Sequence, residues 1–324
     1  MHEPLTATSL ESSVLDNISG QILVLPTGDV LPMTTPELRR SSGKYLTLRG
    51  LRLTNAIIRK GILHVAGSPW LPGFWNLSAG KAEVALEAFG GQGATCTLFL
   101  SFTDSPVNSK GWHSYKGDPY MVLPVSWSSF DEYVASMKKK YRARVRKVQK
   151  SNQGLRIEIL PQEGPQFEQC VTMLEATLRD KVVALPGNLE NLLGMFKRCF
   201  GASFKIYGFY LDQELVGFIS CIEDGPVLRA MHIGFSENAP EDFYSYAMFI
   251  LIGHGITIGV QKVHLGRTGT EIKSTYGAVS EDNYFSFYSS SRFFQLLMRF
   301  ADRYYRPKTY TLRSPFGNLT KKVP

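Results

Sequence analysis

Three apolar runs in quick succession, Phe204–Leu211, Leu215–Ile222 and Val227–Phe235, constrain this chain more than any other feature. The first two are joined by Asp212-Gln213-Glu214, a hairpin signal, and the three together predict an antiparallel meander. Asp242–Gly259 then reads as a long helix, and Lys262–Leu265 as a short apolar strand. A helix between two strands of one sheet makes a crossover, so the meander feeds a mixed sheet. Ahead of it stand a strand, Leu155–Leu160, and helices Gly164–Lys181 and Leu189–Cys199. Behind it come a helical turn, Thr270–Tyr276, a strand, Tyr284–Tyr288, and a helix, Ser291–Arg303.

The first half gives a shorter version of this order. Gly20–Leu25, Lys44–Leu53 and Ala56–Ala66 read as strands, and Trp70–Leu77 as an aromatic extended segment. Ala79–Phe89 reads as a helix closed by Gly90-Gly91. Ala94–Phe102 and Tyr120–Val125 read as strands, with a loop between them. The fold class expected is α+β, with a mixed, mostly antiparallel sheet flanked by helices in each half. The expected domains are 1–128 and 155–324, joined by a basic helix over 129–154.

That connecting helix has a clear signature. Ser129 with Glu132 has the capping-box form, and Phe130, Val134, Met137, Tyr141, Val145 and Val148 recur along one helical face. The net charge of the chain is +8. Residues 137–150 alone hold eight basic side chains and no acid: Lys138, Lys139, Lys140, Arg142, Arg144, Arg146, Lys147 and Lys150. A second basic stretch, 299–324, holds seven basic residues and one acid. A run of uncompensated cations fits either a solvated face or a polyanion. Because like charges four apart destabilise a helix, we expect an anionic partner, with tRNA first and an anionic membrane surface second.

Hydrophobic residues make up 44% and charged residues 20%, which excludes a disordered or fibrous chain. The four cysteines, Cys96, Cys170, Cys199 and Cys221, form no C-x-x-C pair, so buried free thiols are expected rather than a metal site or a disulfide framework. The first 20 residues lack a signal-peptide pattern. The most apolar stretch, Ala247–Val260, is too short to span a bilayer. A cytoplasmic protein is the expectation. No Ser-His-Asp order with a G-x-S-x-G elbow exists, which argues against a hydrolase. His232 and His264 alternate with apolar neighbours and read as packed side chains rather than general bases.

Three segments carry a family resemblance. Phe130–Lys150 resembles the basic run Y-x-x-S-x-x-K-x-R-x-x-x-R-K of FemAB-like proteins, through Tyr133, Ser136, Lys139 or Lys140, Arg142, Arg146 and Lys147. LDQELVGFISCIEDG resembles their central hairpin. His264–Ala278 is similar to the G-R-[TS]-x-x-x-x-K-x-x-x-G signature of FemAB-like and BioF2-like acyltransferase domains, with Gly266, Arg267, Thr268, Lys273 and Gly277 in place. The resemblance covers Ser129–Tyr288, and the element order is that of the GNAT (N-acetyltransferase) superfamily.

The resemblance implies two GNAT-like units, and transfer of an acyl or aminoacyl group onto an amine of a small molecule or peptide. It implies that Val227–Phe235 and Lys262–Leu265 splay apart. Aminoacyl-tRNA and acyl-CoA are both candidate donors, and no metal is needed. The Gly-rich pyrophosphate loop of coenzyme-A-binding relatives is missing, since Ser236-Glu237-Asn238-Ala239-Pro240 stands in its place. Gly266, Arg267 and Thr268 are the expected substrate-binding residues, and Lys273 and Tyr276 the expected catalytic ones. On their own chemistry, glycine lets backbone approach a ligand closely, and arginine offers a planar fork to phosphate or carboxylate. Arg267 and Lys273 could flank one anion, or form ordinary surface ion pairs. A non-catalytic anion-binding module of the same fold is the alternative to an enzyme.

Overall fold

The computed structural model describes residues 21–24, 30–34, 37–38, 63–66, 77–91, 98–178, 183–184, 193–194, 196–197, 200–306 and 308–316. The strands are β1 Gln21–Val24, β2 Val30–Thr34, β3 Glu37–Leu38, β4 Leu63–Ala66, β5 Leu98–Thr103, β6 Trp112–Lys116, β7 Tyr120–Pro124, β8 Leu155–Ile159, β9 Val183–Ala184, β10 Phe204–Leu211, β11 Glu214–Asp224, β12 Val227–Phe235, β13 Lys262–His264, β14 Val279–Glu281 and β15 Tyr284–Tyr288. The helices are α1 Ala79–Gly91, α2 Phe130–Ala135, α3 Lys139–Ser151, α4 Pro165–Leu178, α5 Phe243–Thr257, α6 Thr270–Ser274 and α7 Arg292–Tyr304. The expected strand Lys44–Leu53 and most of the expected helix Leu189–Cys199 lie outside the described residues.

The meander forms as expected. β10, β11 and β12 pair antiparallel, and Leu211↔Glu214 closes a two-residue turn at Asp212, whose φ of 54° suits an aspartate. These strands are apolar on both faces because both faces are covered. Phe204, Ile206, Leu215, Phe218 and Ile222 pack with α4. Tyr207, Phe209, Val216, Ile219 and Cys221 pack with α5, α2 and α3. Cys170 and Cys221 are buried free thiols, and burial holds both pKa values near 12.

Two large sheets hold most of the strands, β3 and β9 form a small third one, and each large sheet takes strands from both sides of residue 128. The seven-stranded sheet runs β14-β7-β13-β12-β11-β10-β8, and the six-stranded sheet β1-β2-β4-β5-β15-β6. β7, from the first half, therefore lies beside β13. β15, from the second half, lies between β5 and β6. β6 falls where the sequence predicts a loop. Its polar residues are accommodated inside the sheet by a hydroxyl chain, in which Ser286 Oγ lies 2.8 Å from both Thr103 Oγ1 and Ser114 Oγ.

The single basic helix expected over 129–154 is two helices. Ser129 does accept from the Glu132 N–H at 3.1 Å, as the capping signal predicts. The helix then stops after Ala135, because Met137 bridges to Phe316 and the Lys138 N–H donates to Pro315 O at 2.8 Å. Lys138 is extended at φ −61°, ψ 148°, and helix resumes at Lys139. The side chain of Arg142 holds the break, donating to the carbonyls of Ala135 and Met137.

Candidate functional site

The site begins where two strands part. β12 and β13 pair in parallel through Val227↔Lys262, Leu228↔Val263 and Arg229↔His264 only. Beyond them, among the described residues, Ala230–Phe235 has no strand partner on that edge. The cause is β7. The Leu265 N–H donates to Met121 O at 2.8 Å, and the Met121 N–H to Gly266 O at 3.1 Å. These bonds draw the chain after β13 away from β12 and open a notch.

The loop behind the notch is tightly wound. Gly266, Thr268 and Gly269 have φ of 76°, 63° and 59°. For Thr268 this left-handed backbone is strained, by about 1–2 kcal/mol. α6 then makes one turn and aims Lys273 back beneath the loop. Its Nζ donates to Arg267 O at 2.8 Å and to Gly266 O at 3.4 Å. Lys273 is only 3% exposed, and burial lowers its pKa to about 7. It therefore sits under the loop, not on an open cleft wall beside Arg267. The loop's amide end is fixed too, since the Gly266 N–H donates to His264 Nδ1 at 3.3 Å. Burial, with the cations Arg229, Lys262 and Lys273, pushes the His264 pKa down to about 3, so its ring is neutral and can accept this bond. Burial likewise lowers His232 to about 4, and both histidines are packed side chains as expected. Among the described residues, the buried Thr270 Oγ1 has no hydrogen-bond partner.

The side chain of Arg267 leaves the loop on the other side. Its guanidinium carbon lies 5.7 Å from the Phe102 ring centre and 5.8 Å from that of Tyr120. Both rings belong to the first half of the chain, and sequence spacing gives no signal for them. The two rings flank the guanidinium, whose planar fork is the shape that recognises a carboxylate or phosphate. We therefore expect Arg267→Lys to lower kcat/KM tenfold or more, an effect of about 1–3 kcal/mol, with little change in Tm. Unchanged turnover would show that the fork is not used.

Tyr276 lies deeper. Its hydroxyl donates to Ser245 Oγ at 2.8 Å, its carbonyl accepts from the Tyr133 hydroxyl at 2.8 Å, and its ring meets Phe249 edge-on at 4.9 Å. Burial raises its pKa to about 12. It joins α6 to α5 and α2 from inside the core. Gly277, at φ 94°, lets the C-terminal segment pass: a Cβ there would lie 2.0 Å from the Phe316 ring. That segment also crosses α6, where the Arg313 N–H donates to Ser274 Oγ at 2.8 Å.

Two charged surfaces flank the notch. Ser236–Asp242, which links β12 to α5, carries Glu237, Glu241 and Asp242 at the helix start. Carboxylates there suit the helix dipole and oppose a pyrophosphate. α3 packs on α5 through Val145 and Val148, with Lys147 Nζ 4.0 Å from Asp242. Of the eight cations expected to bind a polyanion, Arg142 holds the helix break, and Lys138 Nζ donates to Ser314 O at 3.1 Å. Lys139, Lys140, Arg144, Arg146, Lys147 and Lys150 are exposed; Lys139, Arg146 and Lys150 share the face of α3 turned away from its buried valines, whereas Arg144 stands one turn before Val148 on the packed side.

An α+β chain with two mixed, mostly antiparallel sheets flanked by helices, one opened between a meander strand and the strand after a crossover helix, has the GNAT-like fold. No protein-family model matches the sequence, and no curated protein matches it. Solved structures do. L-PGS from Bacillus licheniformis is 12% identical with a TM-score of 0.54, over 93% of this chain and 92% of that one. The C-terminal domain (DUF2156) of a candidate lysylphosphatidylglycerol synthetase from Agrobacterium fabrum is 12% identical with a TM-score of 0.53, over 92% of this chain and 94% of that one. FemX is 11% identical with a TM-score of 0.47, over 68% of this chain and 81% of that one. The first two likenesses are of fold, and they span both halves of the chain.

Proposed function

We propose that this chain is an aminoacyltransferase that moves the aminoacyl group of a charged tRNA onto an amine acceptor. The observation that carries the reading is the parting of β12 from β13 after three residue pairs, with the loop Gly266–Gly269 locked behind the opening. Backbone freed at a strand edge can hold an acyl carbonyl, and aminolysis of an ester needs positioning more than covalent help. The amine nitrogen bonds to the ester carbonyl carbon, and the ester C–O bond breaks. The tRNA hydroxyl leaves with the proton that the amine gives up. Arg267 binds an anionic group of donor or acceptor. Lys273 acts through the loop, as a positioning residue for Arg267.

The choice of donor rests on charge. The carboxylates at the start of α5 disfavour the pyrophosphate of coenzyme A, whereas the exposed cations of α3 suit tRNA phosphates. The name lysylphosphatidylglycerol synthetase, carried by one structure of like fold, itself describes a product bearing an aminoacyl group. The test is release of radiolabel from a pool of charged tRNAs, measured with amine acceptors, against a parallel arm with labelled acyl-CoA. Transfer from tRNA supports the reading. Transfer from acyl-CoA alone overturns the donor, and no transfer from either leaves a binding module.

The cationic face has its own test. Lys139→Glu, Arg146→Glu and Lys150→Glu together change one row of α3 without touching the helix break. We expect tRNA affinity to fall and the slope of log K against log salt to flatten by about 0.7–0.9 for each phosphate that is no longer neutralised. Equal affinity and slope in the triple variant would remove tRNA from this face.

A further inference from the structure

α7 has two opposed sides. Its inner side is tied to the six-stranded sheet: Met298 is buried, the Tyr115 hydroxyl donates to Met298 O at 3.1 Å, and Asp302 lies 2.9 Å from His113 Nδ1. Its outer side carries Phe293, Leu296, Leu297 and Phe300, which are 69%, 53%, 54% and 58% exposed. Steps of three, four and seven place them in one unbroken stripe along the helix. Large apolar side chains scattered singly on a surface need no explanation, but four in register do.

The flank of the stripe is cationic. Arg292, Arg299 and Arg303 follow one another at steps of seven and four and form a row beside the apolar residues, with Arg306 and Lys308 just beyond the helix. The one acid of the helix, Asp302, stays exposed but is paired with His113 on the side opposite the stripe. An apolar stripe with three arginines at its edge, whose one acid is paired with a histidine on the far side of the helix, suits the boundary between acyl chains and anionic headgroups, where arginine stems lie along apolar matter while their heads reach phosphate. α7 has 13 residues, and among the described residues no helix is long and apolar enough to cross a membrane, so the geometry is that of lying on a surface.

We propose that α7 docks this protein on an anionic lipid bilayer, with Phe293, Leu296, Leu297 and Phe300 inserted and Arg292, Arg299 and Arg303 at the headgroup phosphates. The occupant is chosen by charge. A second copy of a chain with net charge +8 would bring the same arginines to the same stripe, whereas an anionic membrane complements both the row and the whole molecule. The surface is separate from the notch, so the inference stands or falls independently of the proposed reaction.

The test uses the full chain and vesicles of phosphatidylglycerol mixed with phosphatidylcholine, against phosphatidylcholine alone, with binding read by co-sedimentation. Wild type is expected to sediment with the anionic vesicles. Phe293→Ser with Leu297→Ser changes two exposed positions and should leave the melting curve intact while weakening partition at least tenfold. Arg292→Gln, Arg299→Gln and Arg303→Gln together should weaken binding to the anionic vesicles by roughly fivefold per arginine. The α3 triple variant separates the two basic surfaces: if it abolishes vesicle binding and the serine pair does not, α3 holds the membrane and the proposal fails. It also fails if wild type ignores anionic vesicles. A concentration-dependent dimer that the serine pair returns to monomer would make the stripe a self-contact, and would overturn it as well.

Discussion

Gly277→Ala will destabilise the protein by about 2–5 kcal/mol, one of the two largest effects expected of any single change. Two costs add. An alanine at φ 94° is strained. Its methyl carbon would also stand 2.0 Å from the Phe316 ring, which is wedged against Trp127 and Tyr133 and cannot swing away freely. Tm should fall by about 2–4 °C per kcal/mol. A double-mutant cycle separates the two costs. In a Phe316→Ala background the clash is gone, and Gly277→Ala should then cost only the backbone strain, about 1–2 kcal/mol. An equal cost in both backgrounds would mean that Phe316 is not what requires glycine.

Lys273→Met is the second. Methionine keeps the apolar stem but removes the donor to Gly266 O and Arg267 O. With its carbonyls released, the loop should no longer place Arg267, and kcat/KM should fall by about a hundredfold, mainly through kcat. Stability supplies a readout that does not depend on activity. The folded pKa of Lys273, about 7, lies below the usual lysine value of 10.5. Between those two values the unfolded chain holds the extra proton. Wild-type stability should therefore rise with pH across this window, by on the order of 1 kcal/mol per pH unit, and level off at either side. Denaturant titrations at several pH values measure it. Lys273→Met should be flat by comparison, and a slope retained in the variant would place the titration elsewhere.

What could be read from the sequence follows from which forces are local. The meander was legible because each strand is apolar on both faces and its turns are short, and the parting of β12 from β13 was implied by the family resemblance. Gly277 stood out in its motif, although its reason, Phe316, lies far along the chain. The helix break was hidden, because apolar spacing runs straight through Ser136–Lys138 and only pairing with Phe316 and Pro315 interrupts it. β6 was hidden because Trp112–Lys116 is polar, and its hydroxyl partner comes from β15. At the site, the loop residues Gly266, Arg267, Thr268 and Lys273 were found together, but the burial of Lys273 was not. A helix one turn long can aim a side chain outward or beneath its own loop, and tertiary packing decides between them. The rings that hold Arg267 could not have been found, since Phe102 and Tyr120 come from another half of the chain.

The exchange of β7 and β15 bears on how the protein is made. During synthesis β5 and β6 emerge early, but the strand that belongs between them is β15, some 170 residues later. At 5–20 residues per second this is roughly 10–30 s in which both strands wait with a free edge. β7 waits in the same way for β13. Neither half can finish on the ribosome ahead of the other, so the nascent chain holds two incomplete sheets until the last third has emerged. Unpaired edges of that kind invite association with other nascent chains. The interval before β15 arrives is where a chaperone that shields strand edges would have its greatest effect on yield.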